Sequence, residues 1–224
     1  MVFWIASAAG LAIAYLLGAT PTGYLAGRLL KGVDIREQGS KSTGATNVLR
    51  TLGKGPALAV LLIDLAKGAA AILFARSFWA WLYAAPFAAP PAGLSLQACV
   101  PWAVCLAGLA VVVGHSRSVW LGFTGGKSAA AGLGVLLAMA WPVGLGAGAI
   151  VALTVAASRI MSLSSMLGAL TAMVLVCVLD EPLPYRALVI AGGVYVIWLH
   201  RANIGRLAGG TEPRLGQAGP AAKP

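Results

Sequence analysis

Residues 55–75 read GPALAVLLIDLAKGAAAILFA, a run that is long and apolar enough to cross a lipid bilayer as one helix. About 20 helical residues cover the ~30 Å hydrocarbon core of a membrane. Runs of this kind recur, since 59% of the 224 residues are hydrophobic, 10% are charged and the mean hydropathy is +0.87. A soluble domain has about half apolar and a quarter charged residues. The sequence therefore predicts an all-α polytopic membrane protein.

The apolar runs predict about seven transmembrane helices. They lie near residues 2–27, 55–75, 97–114, 128–141, 142–158, 162–179 and 184–199. The stretch from Ser128 to Arg159 leaves the count open at five to seven, because Trp141-Pro142 fits either a turn between two short spans or a kink in one long helix. Residues 1–18 carry no basic residue before their apolar run. We therefore expect an uncleaved first span rather than a secretory signal peptide.

The basic residues, 16 against 6 acidic ones, lie between the apolar runs rather than on one amphipathic surface. That distribution disfavours nucleic acid as a partner. A seven-span path puts only Arg76 and Arg186 on one face. The other face receives thirteen cations, which are Arg28, Lys31, Arg36, Lys41, Arg50, Lys54, Arg117, Lys127, Arg159, Arg201, Arg206, Arg214 and Lys223. Because positive loops stay in the cytoplasm, we expect the N-terminus outside and the C-terminus in the cytoplasm.

The same path brings three polar loops to one face of the membrane. Residues 28–54, residues 114–127 and the segment after residue 200 are separated by two and then four crossings. An even number of crossings returns the chain to the side from which it started. We therefore expect all three loops on the cytoplasmic side.

The first loop contains the segment DIREQGSKSTGATNVLR at residues 34–50, which concentrates hydroxyls, glycines and cations at a membrane boundary. Glycines let backbone N–H groups approach an oxyanion closely, and hydroxyls add donors. Arg50 can clamp a phosphate with two parallel hydrogen bonds. The segment predicts an anion site, and a plain polar turn is the alternative.

The second loop, GHSRSVWLGFTGGKS at residues 114–128, ends like a nucleotide-binding P-loop, but Leu121 stands where that motif needs glycine. Gly125, Gly126 and Lys127 precede an apolar helix, and a helix N-terminus with free backbone donors binds phosphate. We therefore predict a phosphate site here, the alternative being a lysine that only anchors the helix at the interface.

The third loop reads HRANIGRLAGGTEPR at residues 200–214. If the helix continues, His200 and Asn203 share one face. From the residues alone, His200 fits an interface residue as well as a catalytic one. Asp64 and Lys67, one helical turn apart inside a span, either neutralise each other or sit beside a water-filled site.

The three cysteines, Cys99, Cys105 and Cys177, lie in apolar runs without close His or acidic companions. Neither a disulfide framework nor a metal site is indicated, and we predict small packing side chains. No metal and no cofactor are expected.

Taken together, the three segments resemble the bacterial acyl-phosphate:glycerol-3-phosphate acyltransferase family, known as PlsY. The resemblance covers most of the chain, apart from about residues 76–100 and the C-terminal end. The residues that carry it are Gly39-Ser40, Gly44 to Asn47, Arg50, Gly114-His115, Phe123, Gly125 to Lys127, His200, Asn203-Ile204, Arg206-Leu207 and Glu212.

The resemblance implies transfer of a fatty acyl group from acyl-phosphate to the sn-1 hydroxyl of glycerol 3-phosphate, giving lysophosphatidic acid and phosphate. It implies the bacterial cytoplasmic membrane, an active site on its cytoplasmic face and a functional link to a soluble enzyme that produces acyl-phosphate. Residues 1–208 would form a single transmembrane acyltransferase domain, and residues 209–224 a flexible cytoplasmic tail. A membrane transporter of a phosphorylated anion is the alternative function.

On this interpretation the catalytic residues are Ser40, Arg50, Lys127, His200 and Asn203. The residues expected to bind substrate or phosphate are Gly39, Thr43, Gly44, Ala45, Thr46, Asn47, His115, Gly125, Gly126 and Arg206. Ser40, the backbone of residues 44–46 and Lys127 with its two glycines would hold phosphate oxygens. Arg50 and Asn203 would orient glycerol phosphate, and His200 would position or deprotonate the attacking hydroxyl, unless a substrate phosphate takes the proton.

Overall fold

The computed structural model describes residues 1–216. This part of the chain is helical, with two short 3-10 turns at Ile35–Glu37 and Val119–Leu121. The α-helices are α1 (Val2–Ala19), α2 (Thr22–Lys31), α3 (Ala45–Leu52), α4 (Lys54–Ala84), α5 (Leu96–Ser116), α6 (Ala129–Met139), α7 (Trp141–Ser158), α8 (Met161–Val178), α9 (Leu183–Leu199) and α10 (Arg201–Ala208). The all-α prediction is therefore confirmed.

Within residues 1–216, five helices are long and apolar enough to cross a membrane: α1, α4, α5, α7 and α8. A sixth span is added if α9 and α10, which meet at an angle of 57°, count as one. Helix α6 has 11 residues and covers about 17 Å at the helical rise, less than the hydrocarbon core. The predicted count of seven is therefore not confirmed, although the multi-pass character is.

The sequence left open whether residues 128–159 form two short helices or one kinked helix. The structure shows two helices joined by a turn. Helices α6 and α7 meet at Ala140 and fold back on each other. A Cβ atom built on Gly144 would lie 2.7 Å from the Leu137 nitrogen, and one on Gly148 would lie 3.7 Å from a Leu133 methyl group. These pairings have opposite sequence directions, so the two helices are antiparallel.

Large apolar side chains cover much of the outer surface of the bundle. Each of Leu58, Leu62, Leu73, Leu153 and Val174 is more than half exposed. Soluble monomers rarely expose contiguous apolar surface on this scale. The helical bundle therefore has the outer face that a lipid environment requires.

Close backbone contacts show how α4 and α6 lie against each other. A Cβ atom on Gly68 of α4 would overlap the Ala131 carbonyl of α6, and one on Gly134 would overlap the Leu65 carbonyl. Small residues at helix interfaces allow such close approach in membranes. The Arg76 guanidinium, further along α4, donates to the Met139 carbonyl at the end of α6, at 2.8 Å. The contacts from Gly68 to Ala131 and from Arg76 to Met139 run in the same sequence direction, so α6 begins at the same end of the bundle as α4.

The three polar loops meet at this end. The Arg36 guanidinium, in the first loop, donates to the Leu121 carbonyl of the second loop at 3.4 Å. The Lys127 ammonium donates to the Asn203 side chain of α10. Residues from the first and third loops thus lie beside the second, as the parity of the predicted crossings requires.

The segment after α10 folds back on the bundle before the description ends. The Leu215 amide donates to the Arg159 carbonyl at 2.7 Å, and the Glu212 side chain is only 5% exposed. Residues 217–224, which include Lys223 and the end of the predicted tail, lie outside the described residues. The flexibility of that tail stays a prediction.

Candidate active site

A cavity of about 230 Å³ opens among the three loops and continues between α6, α7, α8 and α9. Its polar side chains are Ser40, Ser42, Thr46, Asn47, Arg50, Asp64, His115, Lys127, Ser128, Ser162, Ser165, His200, Asn203 and Glu212, and the backbone of Gly44 and Ala45 lies among them. Its apolar lining includes Leu133, Val135, Leu136, Ala147, Val151, Ala169, Ala172, Leu188, Val189 and Val196. The cavity therefore has a polar end at the loops and an apolar end between the helices.

Helix α8 shows the change of polarity most directly. Its residues in the cavity wall are Met161, Ser162 and Ser165 near the loops and Gly168, Ala169 and Ala172 further along. The wall of the cavity on this helix therefore turns from hydroxyl-bearing to apolar within three helical turns.

Asn47 holds the first loop in shape. Its amide nitrogen donates to the carbonyls of Ile35 at 2.8 Å, Ser42 at 2.9 Å and Gln38 at 3.1 Å. Its amide oxygen accepts from the Ser40 backbone N–H at 2.8 Å. Both polar atoms of the side chain are thus used within the loop, and Asn47 is 1% exposed. Asn47 therefore shapes the first loop and has no free donor left for an anion.

Helix α3 begins at the cavity. Gly44, Ala45 and Thr46 line it, followed one turn later by Arg50. The first N–H groups of a helix have no partner within the helix, and they form its electropositive end. The start of α3 and the Arg50 guanidinium therefore place positive charge beside the same space.

Lys127, Asn203 and Glu212 form a chain of hydrogen bonds across the second and third loops. Lys127 donates to the Asn203 oxygen, and the Asn203 nitrogen donates to Glu212 at 2.6 Å. Glu212 also accepts from Ser162 at 2.7 Å and from the Arg206 guanidinium at 2.7 Å. The carboxylate therefore fixes both Asn203 and Arg206, and Asn203 in turn orients Lys127.

The surroundings of Lys127 and Glu212 shift the pKa values of both side chains. Burial lowers the pKa of Lys127 to about 8, although the nearby Glu212 charge partly offsets this effect. Burial raises the pKa of Glu212, but hydrogen bonds from Ser162, Asn203 and Arg206 outweigh it, and the net pKa is below the ordinary value. At neutral pH the cavity therefore holds a protonated lysine and an ionised glutamate.

His200 follows α9 and is 3% exposed. Its Nδ1 atom lies 2.8 Å from the Val196 carbonyl oxygen, which can only accept. Nδ1 therefore carries the hydrogen, and Nε2 of the neutral ring is free to accept one. Burial lowers the pKa of His200 to about 4, partly offset by the bond to Val196, so the ring is neutral at pH 7.

Asp64 and Lys67 form an ion pair, and Asp64 borders the cavity. The Asp64 Oδ1 atom lies 2.9 Å from the Lys67 ammonium and accepts from Thr22 at 2.6 Å. Asp64 and His115 line the cavity, and His115 Nδ1 is 3.7 Å from the same oxygen. The predicted pairing of Asp64 with Lys67 is therefore observed, and Asp64 also borders the cavity.

The paired glycines of the second loop lie behind His115. The Gly126 amide donates to the His115 carbonyl at 3.0 Å, and a Cβ atom on Gly126 would overlap the His115 ring. A Cβ atom on Gly125 would overlap the His115 carbonyl. Both glycines are therefore needed for close packing, and neither lies in the cavity wall.

Comparison with known proteins identifies the family of the chain. The glycerol-3-phosphate acyltransferase family model matches residues 8–210. The chain belongs to this family. A glycerol-3-phosphate acyltransferase 2 of Rhizobium johnstonii is 69% identical over 217 residues, which cover 97% of this chain and 99% of that protein. A glycerol-3-phosphate acyltransferase of Acaryochloris marina is 56% identical over 209 residues, covering 92% and 91% of the two chains.

Two solved structures of PlsY, an integral membrane glycerol 3-phosphate acyltransferase, share the fold. The glycerol 3-phosphate form matches with a TM-score of 0.79 and 32% identity, covering 94% of this chain and 96% of that one. The lysophosphatidic acid form matches with a TM-score of 0.76 and 32% identity, covering 94% and 95%. The family resemblance predicted from the sequence is confirmed, and it favours the acyltransferase over the transport alternative.

The cavity of this glycerol-3-phosphate acyltransferase family member gathers most of the predicted site residues. Those in its wall are Ser40, Gly44, Ala45, Thr46, Asn47, Arg50, His115, Lys127, His200 and Asn203. Those outside it are Gly39, Thr43, Gly125, Gly126 and Arg206. The predicted catalytic and binding roles of both sets of residues stay predictions.

Several residues of the acyltransferase cavity were not among the predicted catalytic or binding residues. They are Ser42, Asp64, Ser128, Ser162, Ser165 and Glu212. Glu212 carried a usable signal, since it is an acidic residue within a basic loop. The hydroxyls of α8 carried none, because serines in an apolar helix commonly bond to their own backbone, as Ser165 does here with Met161.

Proposed function

We propose that the chain transfers a fatty acyl group from acyl-phosphate to the sn-1 hydroxyl of glycerol 3-phosphate, giving lysophosphatidic acid and inorganic phosphate. The main support for this proposal is that one continuous cavity has a cationic, polar end at the loops and an apolar end between the helices. Acyl-phosphate combines a phosphate with a hydrocarbon chain, and this cavity suits both parts. The related structures, named for a glycerol 3-phosphate form and a lysophosphatidic acid form, agree with the acceptor and the product.

The polar end would hold the phosphate groups of both substrates. Ser40, the backbone of residues 44–46 and Lys127 would bind phosphate oxygens, since these groups converge on the cavity. Arg50 and Asn203 would orient glycerol 3-phosphate. Charge-assisted hydrogen bonds of this kind are about twice as strong as neutral ones. Gly125 and Gly126 would contribute by holding His115 and Lys127 in place.

The lining also favours acyl-phosphate over acyl-coenzyme A as the donor. Residues 44–46, Arg50 and Lys127 supply hydrogen-bond donors for phosphate. Among the described residues, the cavity wall includes no Phe, Tyr or Trp side chain on which an adenine ring could stack. The site therefore suits a phosphate leaving group better than a nucleotide-bearing one.

In the proposed reaction the sn-1 hydroxyl oxygen attacks the carbonyl carbon of acyl-phosphate and forms a tetrahedral intermediate. The carbon–oxygen bond to phosphate then breaks, and the phosphate leaves with the electron pair. Arg50 and Lys127 stabilise the negative charge that develops on the carbonyl oxygen and the leaving group. Because both reactants are held in one cavity, orientation supplies a further part of the acceleration.

The leaving phosphate would accept the hydroxyl proton. His200, with a pKa of about 4, is a weak base at neutral pH. Its free Nε2 atom is suited to accept a hydrogen bond from the hydroxyl and to aim the oxygen at the carbonyl carbon. His200 would therefore position the nucleophile, while the phosphate takes the proton.

The loops would face the cytoplasm of a bacterium, where a soluble enzyme supplies acyl-phosphate. The concentration of cations at the loop end supports this orientation. A fluorescent protein fused to the C-terminus should be bright, because it folds in the cytoplasm. A dark fusion that is inserted at normal levels would reverse the proposed orientation.

An activity assay with the purified protein in lipid tests the proposed reaction. With palmitoyl-phosphate and glycerol 3-phosphate, we expect equal amounts of released phosphate and 1-acyl-glycerol 3-phosphate. Palmitoyl-coenzyme A serves as the parallel donor and should give no product. Product from the coenzyme A donor alone would overturn the donor assignment while keeping the acyltransferase class.

A further inference from the structure

Gly192 of α9 is buried without being closely packed. It lies in the cavity wall. A Cβ atom built on it would nevertheless meet no atom within 4 Å. The adjacent Gly193 is different, since a Cβ atom there would lie 2.7 Å from the sulfur of Met173. The space in front of Gly192 is therefore the cavity itself and not a packing contact.

The surroundings of Gly192 are apolar. Leu188, Val189 and Val196 flank it on α9 and are each less than 10% exposed. Ala172 of α8 and Leu136 of α6 contribute to the same cavity wall. A hydrocarbon chain is the occupant that such a lining accepts without leaving polar groups unpaired.

The position of Gly192 along the cavity can be related to the reacting atoms. Gly192 precedes His200 by eight residues of sequence, which corresponds to about 12 Å along a helix. An extended alkyl chain advances about 1.25 Å per carbon, given bonds of ~1.5 Å and angles of ~111°. A chain whose carbonyl lies beside His200 therefore reaches Gly192 after about ten carbons.

We infer that Gly192 sets the acyl-chain length that the acyltransferase accepts. Its missing side chain keeps the cavity open where the tenth or so carbon of a long acyl chain must pass. The inference rests on the proposed function, because it takes the acyl donor as the occupant of the apolar end. A side chain at this position would exclude long chains and leave short ones unaffected.

The test compares kcat/KM for palmitoyl-phosphate, with 16 carbons, against octanoyl-phosphate, with 8. For Gly192→Leu we expect the ratio of the two values to fall at least about tenfold relative to the wild type, the scale of methylene discrimination in apolar pockets. Gly192→Ala should lower the ratio by about twofold to fivefold. Because alanine has a higher helix propensity than glycine, the alanine variant should fold. It therefore tests the inference if the leucine variant does not fold.

Gly205→Leu is the matched control. Gly205 lies in α10, is exposed, lies outside the cavity wall and also has no atom within 4 Å of a Cβ position. Its chain-length ratio should equal that of the wild type. An unchanged ratio in the Gly192 variants would overturn the inference. Failure of the wild type to use either acyl-phosphate would instead overturn the proposed function.

Discussion

Two loops rich in glycine, residues 39–47 and residues 114–128, lie differently against the cavity. In the first, Gly44 forms part of the cavity wall, and a Cβ atom there would meet only the Ser42 hydroxyl, at 3.8 Å. In the second, a Cβ atom on Gly126 would overlap the His115 ring. One glycine therefore borders the space for substrate, whereas the other borders a neighbouring side chain.

The difference teaches that glycine next to a helix start does not by itself identify a phosphate ligand. Helix α3 begins directly after Gly44. Helix α6 begins only after Lys127 and Ser128, and the Ser128 hydroxyl bonds to the Val112 carbonyl at 2.7 Å. From the second loop it is the lysine side chain, and not the glycine backbone, that brings positive charge to the cavity.

The largest effect that this comparison predicts is for Lys127→Ala. Removing the cation should lower kcat/KM for glycerol 3-phosphate by about 10³-fold, the upper scale for losing one donor to a developing negative charge. Lys127→Arg, which keeps the charge, should retain more activity. Normal thermal unfolding of the alanine variant together with near wild-type turnover would contradict the site assignment.

Gly126→Ala should have the next largest effect. The added methyl group displaces His115, and a displacement of about 1 Å can cost 10²-fold in activity. We also expect the free energy of unfolding to fall by about 1–3 kcal/mol, as overpacking usually causes. Kinetics and thermal unfolding should therefore change together, and a variant with unchanged stability would show that Gly126 does not serve packing.

The pH dependence tests whether the second loop acts through its lysine. Lys127 is protonated below its pKa of about 8, so phosphate binding should weaken as the pH rises through that value. Between pH 7 and pH 9 we expect kcat/KM to fall about tenfold, since it reports ionisation in the free enzyme. In Glu212→Gln this decrease should begin at a lower pH, because the Glu212 charge raises the pKa of Lys127.

The smallest effect should be that of Gly44→Ala. The backbone at Gly44 has φ −79° and ψ 164°, which alanine adopts without strain. We expect unchanged thermal unfolding and a rise of only a few-fold in KM for glycerol 3-phosphate, since the methyl group narrows the cavity slightly. Destabilisation as large as in Gly126→Ala would remove the distinction between the two loops.

The sequence by itself determined the helical membrane fold and the meeting of three loops. Long apolar runs can satisfy their backbone in lipid only as helices, and this requirement is local. The order of charged loops then followed from counting crossings. Arg50, Lys127 and His200 were also accessible, because each lies in a short motif of the family.

The tertiary structure alone decided how the motifs combine. Lys127 and Asn203 are 76 residues apart, and Thr22 and Asp64 are 42 apart. Such pairings depend on which helix faces touch, and hydropathy does not encode those faces when a helix is apolar all round. For the same reason the break at Ala140, the packing of Gly126 on His115 and the joining of Glu212 to Asn203 appeared only in the folded chain.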